Sequence, residues 1–392
     1  MSAMSTGSMV IRGARVVTPY GVIEDGWVKV ENGVVSAVAQ SAEALAVADE
    51  VIDANGAWLV PGFIDIHVHG GNGADVMDGQ ASSIRTIGQF HAKHGTTSWL
   101  PTTLTAPVDH LAKSIASVDT VRNEGYLGAT ILGLHLEGPF IDMERRGAQN
   151  PDYVLEPNLD VMKRLANVAP GLIRKVTIAP ERPDALRVIR WLSENGIISS
   201  MGHTNATMAE IQAGVEAGAT HATHLFNGMR GLHHREGGAV GGCLLSDAVV
   251  CELIADGHHV QPEVMKLVVK TKGPGKVVLI TDAMTAAGQP DGHYRLGGLD
   301  VTVTDGVALL TEGHNLAGST LTMNNAVKTM VSRVGVDMLA AVQMASDTPA
   351  RELGVSDRKG GIEVGKDADL VLLDESLQVM RTIIGGNTVY AR

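Results

Sequence analysis

Apolar residues recur along this chain in two rhythms. Through the middle, strand-like apolar runs at 63–69, 97–101, 131–137, 176–180, 198–203, 222–226, 251–256 and 277–282 alternate with helical stretches. The helical stretches include 82–94, 107–124, 183–195, 206–214 and 262–270. Eight such strand–helix units predict an α/β protein with a (β/α)8 barrel closed on itself, over residues 61–349. The ends read differently. Val10-Ile11, Arg15-Val-Val17, Gly26-Trp-Val-Lys-Val30 and residues 34–38 are short β-rich pieces, with Asn32-Gly33 marking a hairpin. Residues 369–373, 378–384 and 388–390 repeat that texture, and neither set is large enough for a stable sheet alone. Residues 10–60 and 350–392 are therefore predicted to pair into one small β-sandwich domain. Residues 1–9 read as a disordered leader, 293–311 as a β-hairpin inserted after the eighth strand, and 141–155 as a loop over the barrel mouth.

Composition narrows the class. The chain has 392 residues, 44% of them apolar, enough to bury a sizeable core. A formal charge of −12 argues against nucleic acid or an anionic membrane as partner, and an anionic small substrate would need a local positive pocket. Two cysteines, Cys243 and Cys251, are too few for a disulfide framework or a thiolate metal cluster. With no long apolar run for a membrane span and no basic-then-apolar leader, a soluble cytoplasmic protein is expected.

The chemistry gathers where the predicted strands end. His67 and His69 stand two apart on the first strand, so both project to one side and can bind one metal together. Glu137 closes the third strand before Gly138-Pro139, while His203 and His224 end the fifth and sixth. Asp282 ends the eighth, where a carboxylate suits proton transfer to and from a water; a helix N-cap is its bland alternative. In βα barrels this end of the strands builds the active site. His135 and His221 are expected to pack behind these residues, and His91, His94, His110, His293 and His314 to be structural or solvated. A second set suits an anion: the backbone donors at Asn227-Gly228, the loop carrying His233, His234, Arg235 and Glu236, and His259 after the seventh strand.

Taken together, these patches resemble the amidohydrolase superfamily. The resemblance rests on Pro61-Gly-Phe-Ile-Asp65, Leu134-His-Leu-Glu-Gly-Pro139, Gly202-His-Thr-Asn-Ala206, Thr223-His-Leu-Phe-Asn227, Ala255-Asp-Gly257 and Leu316-Ala-Gly-Ser-Thr-Leu-Thr-Met323. Within the superfamily it points to members that remove acetate from the 2-acetamido group of a phosphorylated amino sugar. It implies a barrel beside a small sandwich, a homodimer, and hydrolysis of N-acetylglucosamine-6-phosphate to glucosamine-6-phosphate and acetate. Glu137, His203 and His224 then resemble the ligands of one divalent metal, and His67 with His69 those of a second. The donor set favours zinc and also accepts iron, manganese or cobalt. Asp282 resembles the catalytic acid/base, Arg235 and His259 the side chains that hold the sugar phosphate, and Asn227 with Gly228 the backbone donors beside it. Gln149 departs from the resemblance, standing where those relatives carry a histidine that polarises the acetamide carbonyl. Its amide can donate a hydrogen bond but cannot carry a proton, so substrate binding is expected to survive and turnover to suffer. Two alternatives stay open: another amidohydrolase, dihydroorotase-like or aminoacylase-like, and a non-catalytic scaffold on the same fold.

Overall fold

Buried parallel strands tolerate apolar residues on both faces, and the central runs use that freedom to form a barrel. The computed structural model describes residues 7–40 and 48–392. Its barrel strands are β1 (Phe63–Val68), β2 (Thr96–Thr103), β3 (Leu134–Glu137), β4 (Ile173–Ile178), β5 (Ile198–Met201), β6 (His221–Ala222), β7 (Val250–Ile254) and β8 (Val277–Ile280). They pair in parallel in chain order, and every residue of β1 and β2 is buried. Closure comes just past β8: the Asp282 N–H donates to the His67 carbonyl at 2.9 Å, and Val68 bridges Ala283 in parallel. The seam of the barrel therefore runs through the segment that carries the candidate chemistry. Outer helices pack by their apolar stripe; that at Ala185–Glu194 buries Ala185, Val188, Ile189 and Leu192.

Strands from both chain ends form the small β domain. Leu370–Leu373 lies antiparallel to Trp58–Pro61, which joins the two ends into one eight-stranded sheet. This sheet has its own apolar core, including Ile11, Val28, Leu59, Leu370 and Ile383. Trp58–Pro61 runs on into β1, so the small domain anchors the strand that carries His67.

Several elements differ from the sequence-based expectation. Ser8 and Met9 already belong to the first strand, Ser8–Thr18, where Met9 is buried, so the leader reaches no further than Gly7; residues 1–6 of it lie outside the described residues. The run 131–137 is split, because Gly133 at φ 159° breaks it into Thr130–Ile131 and β3. Strand β6 is only two residues long, since the chain turns at once through His224 and Phe226 at positive φ. The insertion is three strands, Gly292–Leu296, Leu299–Thr304 and Val307–Leu310, rather than a hairpin. The extra turn forms at Asp305-Gly306, both in the left-handed region. No helix among the described residues is long and apolar enough to cross a membrane.

Candidate metal centre and active site

The strand ends bring six side chains to one point on the barrel floor. The Nε2 atoms of His67 and His69 are 3.2 Å apart, and Asp282 Oδ1 lies 3.5 Å and 3.1 Å from them. On the other side the Nε2 atoms of His203 and His224 are 3.1 Å apart, with Glu137 Oε1 at 3.2 Å and 3.0 Å. Glu137 stands between the groups, its Oε2 being 3.2 Å from His69 Nε2. His67, His69 and Asp282 form one group able to hold a metal ion, and Glu137, His203 and His224 the other. Ligands around tetrahedral zinc at about 2.0–2.1 Å sit roughly 3.3 Å from each other, and the spacings here match. All six residues are buried, none more than 7% exposed.

Three of these residues are held in the left-handed backbone region: His203 at φ 46°, His224 at φ 30° and Asp282 at φ 52°. Each leaves its strand by a sharp turn that aims the side chain across the barrel axis. Backbone strain of this kind collects at functional sites.

Electrostatics favour a cation here. Burial works against charge on His67 and His69, but Glu137 and Asp282 outweigh it and lift them to about 9 and about 10. Burial likewise pushes Asp282 up, and His67 and His69 overcome it, bringing the carboxyl to about 2. Glu137 is also held well below the usual carboxylate range, the neighbouring imidazoles prevailing over burial. Two ionised carboxylates facing four imidazole nitrogens in a dry pocket suit a divalent metal ion.

Gln149 lies at the edge of this cluster, buried and pinned at both ends. Its Oε1 accepts from the Thr105 N–H at 2.7 Å, so its amide nitrogen must face Glu137, donating to Oε2 at 2.7 Å. A cavity of about 370 Å³ rises from the floor, a size suited to a small ligand. His69, Glu137, Gln149, His203, His224 and Asp282 line its base, and Asn227, Gly228 and His259 line its wall. Loop 141–155 contributes Glu144 and Arg145 to that wall. His259 gives Nδ1 to Asp256 Oδ2 at 2.6 Å, which leaves Nε2 for a ligand. The Asn227 N–H closes a turn onto the His224 carbonyl at 2.9 Å; among the described residues the Gly228 N–H has no backbone partner and so is the expected donor left for a ligand. Only glycine fits there: φ is 57°, and a Cβ would lie 2.8 Å from His203 Nδ1.

One expected site residue is not brought in. Arg235 is exposed outside the cavity, with its guanidinium 2.9 Å from His234 Nε2. Conversely, two charged residues absent from the sequence reading lie under the floor. Lys175 on β4 and Glu252 on β7 are fully buried and form an ion pair, with Glu252 Oε2 3.2 Å from His67 Nδ1. Glu252 had a local signal, a lone charge in the middle of the apolar strand Val-Cys-Glu-Leu-Ile, whereas Lys175 had none, standing beside Arg174 in the mixed strand Ile-Arg-Lys-Val-Thr-Ile. His135 and His221 are buried beside them: His135 Nε2 meets Thr177 Oγ1 at 2.8 Å, and His221 Nε2 lies 3.6 Å from Glu352.

A barrel with paired histidines and carboxylates at its strand ends defines a metal-dependent hydrolase. Residues 58–389 match the model of the amidohydrolase family, and the chain belongs to that family. Among its relatives, an N-acetylglucosamine-6-phosphate deacetylase of Bacillus subtilis is 39% identical over 98% of this chain and 97% of its own. An N-acetylgalactosamine-6-phosphate deacetylase of Escherichia coli O157:H7 is 40% identical over 96% of this chain and 98% of its own. A solved structure of an N-acetyl-D-glucosamine-6-phosphate deacetylase mutant from Mycobacterium smegmatis, in complex with N-acetyl-D-glucosamine-6-phosphate, superposes with a TM-score of 0.92. It is 35% identical, and the match covers 98% of this chain and 100% of that one.

Proposed function

We propose that this chain hydrolyses the 2-acetamido group of N-acetylglucosamine-6-phosphate, releasing acetate and glucosamine-6-phosphate. The observation that carries the reading is Glu137 standing between two histidine groups at the base of a cavity whose wall carries His259 and the Gly228 N–H. Full-length deacetylase relatives support the substrate. Glu137, His203 and His224 would hold one divalent ion, and His67, His69 and Asp282 a second, with zinc favoured by the nitrogen-rich donor set. When bound, such an ion acidifies water and polarises a carbonyl.

The chain's own residues do the rest. Asp282, ionised at neutral pH, accepts a proton from the attacking water at Oδ2, the oxygen not turned toward His67 and His69, and returns it to the departing nitrogen. Gln149 offers its amide N–H to the acetamide oxygen, and because Thr105 holds its carbonyl, it cannot flip away. His259 Nε2 and the Gly228 N–H bind the sugar phosphate, fixing the acetamide over the floor through contacts remote from the reaction. Arg235 completes that anion site from a second copy of the chain in a homodimer, which accounts for its exposure outside its own cavity. Residues 10–60 with 350–392 act as the supporting domain and 61–349 as the catalytic barrel. The two free, buried thiols suit a reducing cytosol.

Acetate release by zinc-loaded protein tests this reading, with N-acetylglucosamine-6-phosphate, its galacto epimer and unphosphorylated N-acetylglucosamine compared side by side. Turnover of the gluco phosphate ahead of the other two is expected, and a Gln149→His variant should release acetate about 10- to 100-fold faster, recovering part of what one oxyanion donor supplies. No release from any of the three by metal-loaded protein would overturn the substrate. Equal rates for wild type and the Gln149 variant would overturn the role given to that side chain.

A further inference from the structure

We propose that Glu252, charge-balanced by Lys175, is the positioning residue for both ligand groups of the metal centre, a role that rests on the metal reading above. An imidazole that binds metal through Nε2 carries its proton on Nδ1, and what accepts that proton sets the ring's direction. His69 and His203 give Nδ1 to backbone carbonyls, of Thr102 at 3.2 Å and of Arg145 at 2.9 Å. His67 is different: its Nδ1 faces a carboxylate, Glu252 Oε2, at 3.2 Å. The Nδ1 of His224 has no hydrogen-bond partner among the described residues. Its backbone N–H instead donates to the same Glu252 Oε2 in a longer contact of 3.4 Å, and the neighbouring Leu225 N–H donates to the Glu252 carbonyl at 2.9 Å.

One residue of β7 thus holds a ring from the first ligand group and the strained turn that presents a ring from the second. A lone carboxylate in this dry interior would carry a large desolvation penalty. Lys175, fully buried on β4, pairs with Glu252 Oε1 and leaves Oε2 for the two histidines. The pair adds no net charge to the floor, so the field of Glu137 and Asp282 at the ligand nitrogens is kept for the metal. A purely structural ion pair could lie anywhere in the barrel. This one directs its second oxygen at two ligand residues.

The test uses the full chain and zinc as the probe. Glu252→Gln alone leaves Lys175 buried and uncompensated, and so risks unfolding; the double variant Lys175→Met/Glu252→Gln removes both charges together. Zinc affinity is measured by competition with a chelating dye, and melting is followed with and without zinc. The double variant is expected to melt near wild type when metal-free, while its zinc affinity falls about 10- to 100-fold and the zinc-induced rise in Tm shrinks. A folded double variant that binds zinc within about twofold of wild type overturns the proposal. So does one that fails to fold, because the pair would then be a requirement of the barrel itself. Wild-type protein that takes up no zinc would instead overturn the metal reading, independently of either variant.

Discussion

Floor and rim of the same cavity are built in opposite ways. On the floor, six buried side chains come from five strand ends, and each is oriented by neighbours within 3.5 Å. Beyond the rim, Arg235 is exposed, with its polar contacts among the described residues made to His233 and His234 of its own loop, while Gly228 lines the cavity wall. Bond-breaking depends on fixed donors placed before substrate arrives. Holding an anion tolerates looser parts, which can be completed by a second subunit or by the ligand. The contrast teaches that the metal-ligand end of this site is assembled inside one chain, with Arg235 left outside the cavity.

That contrast can be broken at its hardest point first. Asp282→Asn keeps the side-chain shape but removes the proton acceptor, so kcat for acetate release should fall about 10²- to 10⁴-fold with KM nearly unchanged. A variant retaining more than a tenth of wild-type kcat would move the acid/base role elsewhere. Next comes the rim. Arg235→Ala should raise KM for the phosphorylated substrate about tenfold or more, the worth of one charge-assisted hydrogen bond, and leave kcat close to wild type. If kcat collapses instead, the rim is as preorganised as the floor and the comparison fails.

The last test concerns stability rather than turnover, at a residue that supports the floor. His91 is fully buried behind β1, its Nε2 3.0 Å from the Gly70 carbonyl, and burial lowers it from 6.5 to about 4. Its folded value lies below its unfolded one, so its contribution is intact above pH 6.5 and is lost as pH falls toward 4. The full loss is on the order of 3 kcal/mol. Melting temperatures of wild type and His91→Gln, measured from pH 7 to pH 4, should therefore differ in slope, with wild type falling more steeply. Parallel curves would show that His91 is not held neutral.

Much of this architecture is legible in the sequence because burial leaves a pattern. His67 and His69, Glu137, His203, His224 and Asp282 each close an apolar run, and a polar group at the end of a buried barrel strand has few uses besides chemistry. The three-stranded insertion reads as a hairpin only when the alternating stretch 293–311 is given a single turn; Asp305-Gly306, both at positive φ, is a strong second turn signal that such a reading omits. Glu252 and Lys175 were passed over for a different reason. Glu252, a charge inside the apolar run 251–256, looks like noise until the fold brings its partner from another strand; Lys175 lies just before the run read at 176–180, beside Arg174, and nothing local there points to 250–254. Arg235 is a third case: its loop reads as suited to an anion, yet the fold leaves it exposed outside the cavity.

The left-handed backbones of His203, His224 and Asp282 bear on the protein's future under selection. Each non-glycine residue held there carries roughly 1–3 kcal/mol of strain, which glycine, and to a lesser degree asparagine, would relieve. A laboratory population screened for heat resistance alone would therefore find some of its easiest gains by erasing these three side chains. The same population screened for turnover would have to keep them and gather stability elsewhere, most readily in the small sheet far from the barrel mouth. The backbone strain sits on the residues that carry the candidate chemistry, and only selection for catalysis would preserve it there.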